Sequence, residues 1–139
     1  MRRAAVERLF EDRERSALDE SFAVHWEGED EPVGVVSLTN ISEANASADL
    51  SVIVGNEKDR AKGLGTEAIR LLLDYAFDDL GLNRVGLSVF EFNEAAIRAY
   101  EKIGFESEGR LRQALKRDGD FHDAILMSVL AHKWRGNES

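Results

Sequence analysis

Two glycines one residue apart, Gly63 and Gly65, stand in the stretch KDRAKGLGTEAIR (residues 58–70), behind Lys58, Arg60 and Lys62 and ahead of a helical pattern. Glycine leaves the backbone open to close approach, and the first turn of a helix offers free amides and the positive end of its dipole. With local basic charge on an otherwise acidic chain, this is the chemistry of an anion site, a phosphate above all. Two phosphate loops fail on spacing. GLGTEA fits G-x-G-x-x-A, but in a dinucleotide fold the first glycine follows its strand almost at once, whereas GNEKDRAK separates Val54 from Gly63. The chain beyond is also too short for the full doubly wound sheet. No Gly-Lys-Ser/Thr follows at the spacing of a Walker A loop. A bland reading stays open here: the glycines merely shape a tight entry into a helix.

Other residues have the chemistry to act beside such a site. Asn93 and Tyr100 lie seven residues apart in NEAAIRAYEKIGF, two turns of the helix this pattern predicts, so both can face one groove. Each also has a structural role open to it: Asn93 is a good N-cap, and Tyr100 falls between Ile97 and Ile103 on the apolar face. Asp49 interrupts ADLSVIV, a run otherwise small or apolar, and Glu43 and His122 are weaker candidates for acid–base work. A strand-face aspartate equally suits a solvated or ion-paired role. The histidines His25, His122 and His132 show no ligand spacing, and the absence of cysteine excludes disulfides, thiolate metal sites and a cysteine nucleophile. No metal is expected.

Around these residues, 139 residues at 43% apolar content suffice for one domain over 1–139. A formal charge of −9 argues against nucleic acid, whose binding needs a basic face. No apolar run is long enough to span a membrane and the charged start MRRAAVERLFEDRER is unlike a signal peptide, so a cytoplasmic protein with no membrane partner is expected. Segment 4–18, with Val6, Leu9 and Phe10 on one side, is read as a helix. SFAVHW, VGVVSLTNI and ADLSVIV are read as three antiparallel strands, the last with Ala48, Leu50, Val52 and Val54 on one face and Asp49, Ser51 and Ile53 on the other. A mostly buried helix over 65–80 ends at Gly81, RVGLSVF is a strand, and Asn93 to Gly104 bounds a second helix. FESEGRLRQAL and FHDAILMSVL form a closing hairpin through the Asp-Gly turn of KRDGD. The result is an α/β (α+β) fold with a mixed, mostly antiparallel sheet flanked by helices. Exposed strand edges and the apolar run AILMSVL suggest a homodimer.

The loop RAKGLG (Arg60–Gly65) resembles the R/Q-x-x-G-x-G/A loop of the GNAT superfamily of acyl-CoA-dependent N-acyltransferases. VFEFNEAAIRAYEKIGFESEGRLR is similar to that superfamily's later strand, asparagine, tyrosine-bearing helix and Gly-Phe sequel. DGDFHDAILMSVLAHKW resembles the ending of the branch that acetylates ribosomal-protein N-termini and polyamines. The resemblance implies acetyl-CoA as acyl donor and direct transfer to a primary amine, a protein N-terminus, a polyamine or another small amine. It implies that Arg60, Ala61, Lys62, Gly63, Leu64, Gly65 and Thr66 bind the pyrophosphate through main-chain amides. By the same resemblance Ile53 and Val54 pair with the pantetheine arm where two strands splay, a peptide-like chain adding to an open sheet edge. Asn93 would contact CoA, and Tyr100 would protonate the departing thiolate. Asp49 stands where the branch carries a carboxylate, usually the longer Glu, and is the candidate base. Only about 20 residues precede SFAVHW, so the superfamily's usual first strand is expected to be missing. A non-catalytic acyl-CoA-binding or regulatory domain that has lost its acceptor site is the competing expectation.

Overall fold

A computed structural model describes residues 4–8, 19–54 and 63–137. They form one seven-stranded sheet in the order β1-β2-β3-β4-β5-β7-β6, from β1 (Ala4–Arg8), β2 (Glu20–Trp26), β3 (Gly34–Ser42), β4 (Ser47–Val54), β5 (Arg84–Phe90), β6 (Glu106–Arg117) and β7 (Asp120–Leu130). Three helices accompany it: α1 (Leu64–Asp74), continued by a π-helical turn over Tyr75–Asp79, then α2 (Glu94–Ile103) and α3 (Ala131–Asn137). Every strand pair is antiparallel except β4 with β5.

The start of the chain corrects two expectations. Ala4–Arg8, the start of the segment read as a helix over 4–18, is a strand, paired antiparallel with β2 from Ala4 opposite Trp26 to Arg8 opposite Phe22, and the rest of that segment, 9–18, lies outside the described residues. A strand therefore does precede SFAVHW, where one was expected to be missing. Five residues are too few for period to decide: Val6, Leu9 and Phe10 mimic a helix face, while the alternation that buries Ala4 and leaves Glu7 outside fits a pleat. The backbone partners offered by β2 settle the state. The closing α3 was likewise not foreseen. Its Trp134 is buried and donates its indole N–H to Asp74 Oδ1 at 2.9 Å, tying the end of the chain to α1.

α1 forms because Leu64, Ala68, Ile69, Leu72 and Leu73 recur at helical spacing, and all five are buried against a core that includes Val24, Val36, Leu38 and Leu50 of the sheet. The stop at Gly81 (φ 68°) has the geometry expected of it: the Leu82 N–H reaches back to the Ala76 carbonyl at 3.0 Å and the Leu82 side chain is buried. In the closing hairpin, Asp118 and Gly119 both take positive φ, as a two-residue turn matched to strand twist requires.

β4 alternates as its sequence demands, with Ala48 and Leu50 buried and Asp49, Ser51 and Ile53 exposed. Its parallel ladder to β5 runs only from Ser47 opposite Arg84 to Asp49 opposite Gly86. Beyond these the two strands part, and from Leu50 onward the β5-facing side of β4 has no ladder partner. The run AILMSVL, expected at a dimer surface, belongs to the inner strand β7, where Ala124, Met127, Ser128 and Val129 are buried. Its apolar character is explained by the core.

Candidate active site

Two adjoining cavities open where β4 and β5 separate. The first, about 750 Å³, lies between the end of β4, the first turn of α1 and the face of α2, and is lined by Val52, Ile53, Gly65, Thr66, Ile69, Asn93, Ala95, Ala96, Ala99, Tyr100 and Ile103. The second, about 510 Å³, lies between the strands themselves and is lined by Asp49, Leu50, Ser51 and Val52 of β4, Arg84, Gly86, Leu87 and Ser88 of β5, and Thr39, Tyr100, Glu108, Leu126 and Met127. Val52 and Tyr100 border both.

The first cavity has the features an extended anionic ligand needs. Gly63 takes φ 81° at the N-cap of α1, and no side chain among the described residues caps that end. The first intrahelical bond there is from the Glu67 N–H to the Gly63 carbonyl, at 3.1 Å. The amides of Leu64, Gly65 and Thr66 thus precede the first donor of the ladder and need partners from outside it. Gly65 and Thr66 line the cavity, while the Leu64 side chain turns into the core and leaves only its main chain for the site. Ile53, 66% exposed, lies along the opened edge of β4. Val54 closes that strand opposite Gly34. Arg60, Ala61 and Lys62 lie outside the described residues.

Asn93 and Tyr100 border the same cavity, as their spacing predicts. Asn93 Oδ1 accepts the Ala96 N–H at 3.2 Å, so the residue caps α2. That leaves its side-chain amide donors unspent, and the capping role and a ligand-facing role are compatible. Tyr100 is held from two sides. Its carbonyl accepts the N–H groups of Gly104 and Phe105, at 3.1 and 3.0 Å, and the buried Phe105 ring meets its ring edge-on at 5.8 Å. Gly104, at φ 133°, makes the turn that returns Phe105 onto the tyrosine. The Gly-Phe sequel of α2 is therefore a positioning device for Tyr100. Its hydroxyl makes no hydrogen bond among the described residues, and burial raises its pKa above the usual phenol value.

The second cavity is charged. Asp49 Oδ2 accepts from Asn40 Nδ2 at 3.1 Å. Asn40 itself sits at a β-bulge with φ 51°, its N–H bonded to Asp19 Oδ1 at 3.0 Å. Across the floor, Arg84 forms a two-pronged pair with Glu108: Nη1 donates to Oε2 at 2.9 Å and Nη2 to Oε1. Ser128 Oγ donates to the same Oε2 at 3.0 Å. These bonds, that from Arg84 foremost, hold the Glu108 carboxyl below the usual range and raise the guanidinium's own pKa in turn.

Arg84, Gly86 and Glu108 were not singled out by reading the sequence. Their one signal is a glycine inside the strand RVGLSVF, which marks close approach. The other two candidates lie elsewhere. Glu43 is exposed in the turn after β3. His122, expected exposed on an edge-like strand, is half-buried on the inner strand β7, its ring 4.8 Å from Phe92 and 6.0 Å from Phe90. Neither borders the two cavities.

Comparison with known proteins agrees with this geometry. Residues 1–106 match the family profile described as "Acetyltransferase (GNAT) domain". The chain is 36% identical over 105 residues to the putative ribosomal N-acetyltransferase YdaF of Bacillus subtilis, covering 76% of this chain and 57% of that protein. It is 32% identical over 126 residues to spermidine N(1)-acetyltransferase of Escherichia coli (strain K12), covering 91% of this chain and 66% of the other. The chain thus spans less than two thirds of the length of either relative. Among solved structures, a chimera of Vibrio cholerae spermidine N-acetyltransferase SpeG and hSSAT superposes with a TM-score of 0.82 at 28% identity, over 86% of this chain and 72% of that one. Match to the profile over more than half its length, and a mixed sheet opened between its two parallel strands, make this chain a member of the GNAT acetyltransferase family.

Proposed function

We propose that the chain is an acetyl-CoA-dependent N-acetyltransferase that transfers acetyl to a primary amine, of a protein N-terminus, a polyamine or another small molecule, by direct attack in a ternary complex. The observation that carries this reading is that Tyr100 borders both cavities, so that a donor in one and an acceptor in the other would meet at its hydroxyl.

The residues present fit the donor. First-turn amides at Gly65 and Thr66 suit a pyrophosphate, the opened edge of β4 beside Ile53 suits the amide-bearing arm, and Ala95, Ala96 and Ala99 keep the wall of α2 low along its path. A bound thioester supplies an activated acyl carbon. The amine nitrogen forms a bond to that carbon, the carbon–sulfur bond breaks, and sulfur leaves as thiolate. Tyr100 gives its proton to the thiolate. Its raised pKa keeps the phenol protonated through the neutral range, so the donor form is the resident form. Asp49 accepts the proton the amine loses, directly or through water, and Asn40 fixes one of its oxygens. The acceptor side takes the second cavity, whose carboxylates attract an ammonium group.

A thiol-release assay across peptide N-termini, polyamines and amino sugars tests the reading. Turnover on at least one class is expected, with Asp49→Asn lowering kcat. Acetyl-CoA binding with no turnover on any amine would make the chain an acyl-CoA-binding module instead. An unaltered kcat in Asp49→Asn would remove that residue from the mechanism.

A further inference from the structure

The charges bordering the second cavity come from three residues, Asp49, Arg84 and Glu108. One guanidinium against two carboxylates leaves a single net negative charge. The hydrogen bonds distribute that charge unevenly. Both oxygens of Glu108 are engaged, Oε1 by Arg84 Nη2 and Oε2 by Arg84 Nη1 and Ser128 Oγ. Asp49 spends Oδ2 on Asn40. Asp49 Oδ1 is thus the carboxylate oxygen least occupied by protein partners.

Gly86 brings this oxygen and the guanidinium to one place: a Cβ there would lie 3.7 Å from Arg84 Nη2 and 3.7 Å from Asp49 Oδ1. A cation entering the cavity therefore meets one open carboxylate oxygen with a fixed positive charge beside it. The pair is reachable from solvent, with 41% of the Arg84 side chain and 34% of the Glu108 side chain exposed.

We infer that Arg84 and Glu108 are specificity-determining residues, which set the charge of the acceptor cavity so that it takes one ammonium group and disfavours a second positive charge close behind the first. Arg84 neutralises Glu108 and repels the second charge; Glu108 in turn holds the guanidinium by both nitrogens and offsets its charge beside Asp49. This rests on the reading of the second cavity as the acceptor site. The favoured acceptor class is an amine whose reacting end is the only cation within the cavity, its neighbouring atoms neutral.

The test compares n-butylamine with 1,4-diaminobutane, of equal chain length and one or two charges, titrated calorimetrically into CoA-saturated protein. Wild type is expected to favour the monoamine, and equal affinity or a preference for the diamine overturns the inference. Arg84→Gln frees Glu108 and should shift the affinity ratio toward the diamine by about tenfold, the order of one added charge interaction at this range. Glu108→Gln leaves Arg84 unneutralised beside Asp49 and should weaken both amines, the diamine more. Arg84→Lys keeps the charge and should keep the wild-type ratio. Unchanged CoA affinity shows that each variant is folded; if Arg84→Gln is not, Glu108→Gln still gives the opposite shift to check.

A ratio unmoved by both charge changes, or equal weakening of both amines in Arg84→Gln, overturns the inference while leaving the acetyltransferase reading intact wherever wild type turns over an amine. Absence of amine binding in every form, with no turnover by wild type, overturns the acceptor site itself and this inference with it.

Discussion

The two cavities that meet at Tyr100 are built on different principles. The larger is lined by uncharged groups, small at Gly65, Ala95, Ala96 and Ala99 and aliphatic at Val52, Ile53, Ile69 and Ile103, with polar side chains at Thr66, Asn93 and Tyr100. The smaller is bordered by the charged side chains of Asp49, Arg84 and Glu108, with Asn40 hydrogen-bonded to Asp49 and Ser128 to Glu108. Backbone donors cannot be exchanged by mutation, so the first cavity is bound to one kind of ligand as long as its loop keeps its path. Side-chain charges can be rewritten one codon at a time.

The largest expected effect lies at the boundary. Tyr100→Phe should lower kcat by about 100-fold or more, in the range for loss of a general acid, while the calorimetric affinity for acetyl-CoA stays as in wild type. A surviving kcat would make Tyr100 a packing residue shared by two cavities. Next is the donor side. Gly63→Val forces a β-branched residue to φ 81°, and the strain of about 1–3 kcal/mol should be relieved by moving the loop, weakening acetyl-CoA by about tenfold or more with little effect on the acceptor KM. Equal loss on both sides would mean that the loop supports the whole site.

The smallest effect separates the charged cavity's stability from its chemistry. The folded-state pKa of Glu108 is lowered, so its contribution is present above the unfolded carboxylate range and is lost as pH falls through the folded value. Because the pair with Arg84 is partly exposed and screened, that contribution should stay below about 1 kcal/mol. Glu108→Gln should therefore lower Tm by a few degrees at neutral pH, and the difference from wild type should fade under acid conditions. A difference that grows toward low pH would contradict the pairing.

How much of this could be read from the sequence depended on whether the signal was local. The glycine pair, the caps at Asn93 and Gly104, the stop at Gly81 and the alternation of β4 each depend on a few consecutive residues, and their local geometry is as expected. Tyr100 was legible as a candidate, but the reason for its position was not, since Phe105 reaches it only after Gly104 has turned the chain. The strand at Ala4–Arg8 and the pairing of Arg84 with Glu108 were illegible for a shared reason: both depend on which strands become neighbours. Nothing near Arg84 shows that β7 will lie beside β5 and β6 beyond it, bringing a glutamate 24 residues away to its guanidinium. Charged residues in strand patterns read as solvated faces until the strand order is known.

The short ladder between β4 and β5 has a consequence for cohesion. Among the described residues, backbone hydrogen bonding joins a four-stranded ribbon, β1 to β4, to a three-stranded one, β5, β7 and β6, only at one end, through three ladder pairs and the N–H groups of Asn83 and Arg84 on the Ala46 carbonyl, at 2.7 and 3.2 Å. The sheet is thus a book held at one end of its spine. In the proposed function the donor's arm would pair with the opened edge of β4 while lying against α2, and so would bridge the two halves across the opening. Resistance to unfolding should then rise with the logarithm of ligand concentration above its Kd.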